Sequence, residues 1–253
     1  MAGLYRPVGF GAVSDPLAVI ARMPGVEDAV NEARQAVDRL YRHRVLRRAS
    51  PAVSAESSLR GARASAELDG VAVSLEDLRA DRVSDPVVQG ALRASVEVGR
   101  LGSTWRTAPR QVLARLHTAA AAGLVPEESL GRPLSSSGRL EGVFGLLQGD
   151  TKAPALVLAA IVHAELAVLK PFGSADGVVA RAAERLTLVE YGLDPKSLAA
   201  VEVGHLALPY ASGLESYVEG TQAGVARWVV QCAEAVTMGV REATAICEAL
   251  QRG

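Results

Sequence analysis

The most apolar stretch of the chain, residues 153–169, constrains the fold more than any other feature of the sequence. It contains His163 and Glu165 and is shorter than the roughly 20 apolar residues of a membrane-spanning helix, so it predicts a buried central helix. Apolar residues elsewhere recur at helical spacing, and no segment shows the two-residue alternation of a half-buried strand. The sequence therefore predicts an all-α fold.

Helical segments separated by proline and glycine are predicted along most of the chain. They cover residues 24–46, 52–68, 107–123, 153–169, 177–191 and 222–250, with further helices beginning at residues 74 and 85. Residues 1–23 and 124–150 are predicted to be irregular, and the second stretch is the best candidate for a functional loop. We expect an N-terminal helical region over 1–85 and a helical core over 86–253.

The charge balance gives no sign of a polyanionic partner. The 27 basic and 28 acidic residues leave a formal net charge of -1, so neither a nucleic acid nor a membrane partner is expected. One basic cluster, interpreted as a solvated helix end, consists of Arg42, Arg44, Arg47 and Arg48. The N-terminal residues show no apolar core of a signal peptide.

The two cysteines, Cys232 and Cys247, fall in one predicted helix. At the helical rise they would lie about 22 Å apart, which excludes a disulfide between them. They are expected to be small apolar residues of a protein in a reducing compartment, and a cytoplasmic location is predicted.

The four histidines show no metal-binding spacing. His163 lies on the apolar helix and is expected to be a hydrogen-bonded core residue. His43, His117 and His205 are scattered along the chain, and no Cys/His pattern links them. The sequence therefore predicts no metal site.

The segment of residues 163–181, HAELAVLKPFGSADGVVAR, carries the most functional information. It resembles the signature of the Fic family, in which a helix ends in H-P-F-x-[D/E]-G-N-G-R-x-x-R and a second helix follows. Upstream, His163, Glu165 and Leu169 match the residue types that precede the motif in that family. The resemblance implies a Fic-like helical bundle and, where the motif is complete, transfer of AMP from ATP to a hydroxyl of a target protein.

The resemblance also implies a role for each motif position. The histidine takes the proton of the target hydroxyl, and the acid holds a magnesium ion that bridges nucleotide phosphates. The glycines and the asparagine shape an anion-binding nest at a helix N-terminus, and the two arginines clamp phosphates.

This chain keeps part of that set. The family residue is present at four positions: Pro171, Phe172, Gly177 and Arg181. At five positions it is replaced: Lys170 stands for the histidine, Ser174 for the acid, Ala175 for a glycine, Asp176 for the asparagine and Val178 for the first arginine. The candidate nucleotide- or anion-binding residues are Lys170, Ser174, Asp176, Gly177 and Arg181.

The replacements remove most of the chemistry that the motif supplies. A lysine normally keeps its proton at neutral pH and cannot serve as the base, and a serine hydroxyl is a weaker magnesium ligand than a carboxylate. Asp176 puts negative charge where phosphates would bind, and Val178 removes a phosphate clamp. Loss of a general base alone costs about 10²–10⁴-fold in rate. Conventional AMP transfer is therefore expected to be negligible.

A second motif lies about a hundred residues upstream. Residues 65–70, SAELDG, resemble the inhibitory helix of the family, [S/T]-x-x-x-E-[G/N], whose glutamate pairs with the last arginine of the signature. The resemblance implies that Ser65, Asp69 and Gly70 form such a motif. It also implies that Asp69, one methylene shorter than glutamate, pairs with Arg181 and blocks the γ-phosphate position.

Family enzymes also carry a flap, a small hairpin thirty to forty residues before the signature that aligns the target chain by strand addition. Residues 131–138 lie at that distance. They lack the alternating apolar residues of a good docking edge, so target presentation is not expected either.

Three hypotheses follow. The first is a pseudoenzyme on a Fic-like scaffold that binds a protein partner or a nucleotide-like ligand. The second is a transferase with rearranged chemistry, in which Lys170 and Arg181 hold the phosphates of ATP–Mg and Asp176 or Asp69 serves as base or metal ligand. The third is a structural subunit that dimerises through the C-terminal helix, with a seam formed by Trp228, Val236 and Val240.

Overall fold

The computed structural model describes residues 15–134 and 137–252. Within these residues no β-strand forms, and the predicted all-α class is confirmed. A single 3₁₀ turn covers Glu127–Ser129. The twelve α-helices are α1 Pro16–Ile20, α2 Val26–Tyr41, α3 Leu46–Leu68, α4 Leu75–Arg79, α5 Pro86–Trp105, α6 Pro109–Ala121, α7 Gly138–Gln148, α8 Ala155–Leu169, α9 Asp176–Glu190, α10 Val201–Ala207, α11 Tyr210–Val218 and α12 Gln222–Arg252.

Helices α8 and α9 form the centre of the molecule, as the apolar stretch predicts. Every residue of 156–164 in α8 is buried, and so is every residue of α9 from Val178 to Leu188. The two helices pack along each other over much of their length. Because both are surrounded by other helices, they hold the connecting residues 170–175 on a fixed base.

The remaining helices enclose this pair on two sides. On one side α5 packs on α9, and α6 packs on both α5 and α9. Helix α3 packs on α5 and α10. On the other side the long helix α12 contacts α8, α10, α11 and the early helix α2. Close helix approach depends on small residues: a Cβ on Gly90 would lie 2.0 Å from the carbonyl oxygen of Ala120, where α5 meets α6.

Helix starts follow the predicted capping chemistry. The carboxylate of Asp85 accepts the amide of Val87 at 2.9 Å, and Pro86 occupies the first helical position. The hydroxyl of Ser74 accepts the amide of Asp77 at 3.0 Å, which closes the expected cap of α4.

Pro51 kinks a helix where the sequence predicts a break. The chain leaves helical geometry at Tyr41, resumes it at Leu46 and bends at Ala49, whose φ and ψ are −119° and 18°. Since proline lacks an amide hydrogen and its ring crowds the preceding turn, the bend lies just before it.

Several helices were not expected from the sequence. The stretch 124–150, predicted to be irregular, contains α7, and residues 1–23 contain α1. The glycines of α7 weaken its helix propensity, but Leu140, Val143 and Leu147 are buried and the helix packs on α8, so tertiary contact decides its conformation. Residues 1–14 of the predicted irregular segment lie outside the described residues.

The C-terminal helix is one long element, as predicted. The residues suggested for a dimer seam, Trp228, Val236 and Val240, are all buried in the core of this chain, so they are not available to a second copy. Both cysteines are free and buried. None of the helices in the described residues has both the length and the apolarity needed to cross a bilayer.

The close contact of α5 with α6 gives a matched pair of substitutions in one helix. Gly90→Ala is expected to destabilise the fold by about 1–3 kcal/mol, because its methyl group would overlap the Ala120 carbonyl. Gly99→Ala, which meets no atom within 4 Å, is expected to stabilise α5 by about 0.5–1 kcal/mol. Urea unfolding midpoints measure both, and equal effects at the two positions would contradict this packing.

Candidate functional site

The connection between α8 and α9 is a tight loop of residues 170–175. Three of its residues have left-handed backbone conformations: Lys170 with φ 46°, Gly173 with φ 73° and Ala175 with φ 50°. Such conformations cost about 1–3 kcal/mol at non-glycine positions and persist only where the surroundings impose them. The loop is therefore a constrained structure that the two central helices hold in place.

The ring of Phe172 anchors the loop in the core. It is buried and stacks on the imidazole of His117 from α6, with ring centroids 4.0 Å apart and an interplanar angle of 4°. No sequence pattern places His117 at the loop, because 53 to 64 positions separate it from the motif residues 170–181. Stacking of a histidine on this phenylalanine fixes the loop against α6.

His117 also determines the state of Ser174. Its Nδ1 accepts the amide hydrogen of Gly131 at 2.9 Å, and its Nε2 lies 3.1 Å from Ser174 Oγ. Since Nδ1 acts as an acceptor, the neutral ring carries its hydrogen on Nε2 and donates it to the serine. His117 therefore holds the Ser174 hydroxyl in place and does not activate it as a nucleophile. Burial lowers the pKa of His117, and a hydrogen bond with the backbone of Ser174 acts in the opposite direction.

Asp176 uses its carboxylate within the loop itself. Its Oδ1 accepts the buried amide hydrogen of Phe172 at 3.0 Å, whereas the amide of Gly173 donates to the Lys170 carbonyl at 3.2 Å. Burial raises the pKa of Asp176, while backbone hydrogen bonding and the nearby Lys170 act in the opposite direction. The carboxylate therefore occupies the Phe172 amide and places a negative charge at the N-terminus of α9, where an external anion would otherwise be favoured.

Arg181 is buried on α9 and pairs with the end of α3. Only 2% of it is exposed. Its Nε donates to Ser65 Oγ at 2.9 Å, and its Nη2 donates to the Ser65 carbonyl at 2.9 Å and to Asp69 Oδ1 at 2.6 Å. The guanidinium carbon also lies 5.8 Å from the ring centroid of Tyr210 on α11. The Asp69–Arg181 pair therefore forms despite the shorter acid, and it joins three helices.

Glycine at position 177 makes room for this pair. A Cβ there would lie 2.5 Å from Asp69 Oδ1 and 3.1 Å from Arg181 Nη1. Any larger side chain would force the carboxylate and the guanidinium apart. The second glycine of the signature is thus required here by the contact between α3 and α9.

The other motif positions do not reach Arg181. The side chain of Lys170 is exposed at the end of α8, and Val178 is buried in the core. Gly70 ends α3 with φ 94°, and a side chain there would meet no atom within 4 Å. Because valine stands at position 178, Arg181 is the one motif arginine among the described residues.

The predicted flap region is tied to the loop at two points. The amide of Leu134 donates to the Pro171 carbonyl at 2.8 Å, and the amide of Gly131 bonds His117. The side chain of Leu134 is 75% exposed beside Gly173. Ser135 and Ser136 of this region lie outside the described residues.

A second polar group, which spacing along the sequence did not indicate, lies beneath Arg181. His163, Glu184, His205 and Cys232 are all buried, and one potential ligand atom from each lies within 4.8 Å of the others. Burial lowers the pKa of His163 to about 4, although Glu184 opposes that shift. Tyr210 links this group to Arg181, because its hydroxyl lies 2.8 Å from His163 Nε2 and its ring centroid lies 5.8 Å from the guanidinium carbon.

Comparison with known proteins supports the fold. No protein-family model matches the sequence, and no curated protein matches it. Among solved structures, a Fic family protein from Desulfovibrio desulfuricans G20 superposes with a TM-score of 0.68 at 21% sequence identity, covering 86% of this chain and 74% of that one. At this identity the match establishes a Fic-like fold, which the signature resemblance implies.

The Asp69–Arg181 pair can be tested with a double-mutant cycle. Gly177→Ala is expected to destabilise the wild type by about 1–3 kcal/mol, because the added methyl group overlaps Asp69 Oδ1. In the Asp69→Ala background the same substitution should cost clearly less, since the overlapping oxygen is gone. Chemical denaturation of the four proteins measures the coupling, and additive effects would contradict the contact.

The hydrogen bonds of His117 predict a pH dependence of stability. The folded-state pKa of His117 lies below the ordinary value of 6.5. The contribution of His117 to the free energy of unfolding is therefore complete above pH 6.5 and is lost as the pH falls through the lowered pKa. Between about pH 7.5 and about pH 5, wild type should lose more unfolding free energy than His117→Asn. Identical profiles for wild type and His117→Asn would exclude this role.

Proposed function

We propose that this chain is a Fic-like protein that acts by binding a protein partner or a nucleotide-like ligand and does not carry out conventional AMP transfer. One observation carries the proposal: the Asp176 carboxylate lies at the N-terminus of α9 and accepts the loop amide of Phe172. In the Fic signature, the glycine and asparagine positions that shape the nest for nucleotide phosphates correspond to Ala175, Asp176 and Gly177. Here the nest thus includes an anion that is part of the protein.

The charges around the loop oppose an incoming phosphate. A phosphate in the nest would approach the carboxylate of Asp176, and one at the γ position would approach that of Asp69. Two like charges 4 Å apart repel by about 1 kcal/mol in water and by about 4 kcal/mol near a protein surface. The guanidinium that would offset this repulsion is Arg181, whose donors already bond Ser65 and Asp69.

The groups that would move protons and hold metal are also changed. The position of the family base has Lys170, which is exposed and carries no lone pair while protonated. The position of the metal-binding acid has Ser174, whose hydroxyl is held by His117. These substitutions leave a scaffold that retains the Asp69–Arg181 contact of the inhibitory motif without the groups that the motif normally inhibits.

The alternative is a transferase that uses Lys170 and Arg181 for phosphates and Asp176 as base or metal ligand. It requires Asp176 to release the Phe172 amide and Arg181 to release Asp69. An activity assay separates the two proposals, because binding alone leaves no covalent product.

Calorimetric titration with ATP, with and without magnesium, tests the proposal together with an assay for transfer of labelled AMP. Removing both opposing carboxylates in Asp69→Ala/Asp176→Asn is expected to raise ATP affinity at least about tenfold, or 1.4 kcal/mol. Asp28→Asn removes an exposed carboxylate on α2 and serves as the control, with no gain. Neither protein should label a target, because Lys170 replaces the histidine that takes the hydroxyl proton in the Fic signature.

Two outcomes identify the ligand class. ATP binding by the wild type that disappears in Arg181→Ala indicates a nucleotide-like ligand, whereas no binding in either protein indicates a protein partner. AMP transfer by the wild type that is lost in Lys170→Ala or Asp176→Ala would refute the pseudoenzyme and support the alternative.

A further inference from the structure

The polar group beneath Arg181 draws one side chain from each of four helices. His163 lies on α8, Glu184 on α9, His205 on α10 and Cys232 on α12. Each is 2% exposed or less. Polar side chains buried at the meeting point of four helices are costly unless their charges and hydrogen-bonding groups are satisfied, so this group requires a physical explanation.

The donor atoms of this group converge on one carboxylate oxygen. Nδ1 of His163 and Nε2 of His205 each lie 2.7 Å from Glu184 Oε2, and Cys232 also faces this carboxylate. Yet the contact of His163 Nδ1 does not have hydrogen-bonding geometry, and His205 Nδ1 has no partner among the described residues. Hydrogen bonding within the group therefore leaves buried polar atoms unsatisfied.

We propose that His163, Glu184, His205 and Cys232 form a structural site for one divalent transition metal, with zinc as the best match. Two imidazoles, a thiolate and a carboxylate are ligands that zinc takes in tetrahedral sites, whereas magnesium and calcium require oxygen ligands. Tetrahedral zinc places its ligand atoms about 3.3–3.8 Å apart, so the present separations of 2.7 Å to 4.8 Å require side-chain shifts of about 1 Å or less.

Charge and outer contacts fit the same site. A divalent ion with one thiolate and one carboxylate has no net charge, which suits a site without solvent exposure. His163 Nε2, the nitrogen that faces away from Glu184, lies 2.8 Å from the Tyr210 hydroxyl. Metal-bound histidines generally use their second nitrogen in this way, which fixes the ring orientation. Four protein ligands and full burial leave no open position, so the metal is structural.

The site would join the helices that position the loop. His163 is seven residues before Lys170, and Glu184 is three residues after Arg181. The metal would thus fix α8 and α9 on both sides of the loop and tie them to α10 and α12. Through Tyr210 it is one side chain away from the guanidinium of Arg181. This structural role does not depend on whether the loop binds a nucleotide.

The two cysteines of the chain provide a matched test. Both are buried on α12, but Cys232 alone belongs to the group. The full chain is produced in zinc-supplemented medium and, separately, in cobalt-supplemented medium, so that metal enters during folding. Elemental analysis is expected to find about one metal ion per chain in wild type and in Cys247→Ala, but not in Cys232→Ala.

The cobalt protein identifies the ligand directly. A near-ultraviolet thiolate-to-cobalt charge-transfer band in Cys247→Ala assigns the bond to Cys232, the one cysteine left in that variant, and this result holds even if Cys232→Ala does not fold. Folded wild type and Cys247→Ala that contain no stoichiometric metal and show no such band would overturn the proposal. The group would then be a hydrogen-bonded core network centred on Glu184.

Discussion

The burial of Arg181 is the constraint on which the rest of the site depends. A guanidinium with 2% exposure must be paired, because an isolated buried charge costs several kcal/mol. Ser65 and Asp69 supply the partners from the end of α3, and their position requires glycine at 177. One buried cation thereby fixes the contact between α3 and α9.

The polar side chains of the loop and of the adjacent arginine have partners within the chain. Phe172 stacks on His117, the Ser174 hydroxyl accepts from the same imidazole, and Asp176 takes the Phe172 amide. Ser174, Asp176 and Arg181, three of the candidate binding residues, are thus already paired. An interior in which these groups are already satisfied favours a rigid scaffold over a site that must open to react.

Much of the fold could be predicted from the sequence, because helical periodicity and capping residues act locally. The apolar stretch gave the central helix, and Ser74 and Asp85 gave the starts of α4 and α5. Helix α7 was missed because its glycines lower local propensity while burial against α8 decides its conformation. In the site, the resemblance to the inhibitory helix of the Fic family implied the Asp69–Arg181 contact. The positions of His117 and of the group around Glu184 depend on how distant helices pack, which local pattern does not encode.

The central claim is that Asp176 occupies the Phe172 amide and keeps phosphate out of the loop. The most direct measurement follows the ¹⁵N-labelled amide resonance of Phe172 during titration with ATP and magnesium. If Asp176 holds this amide, the resonance does not move in the wild type, and it moves in Asp176→Asn. A saturable shift in the wild type would contradict the account, because it would show that the loop still receives phosphate.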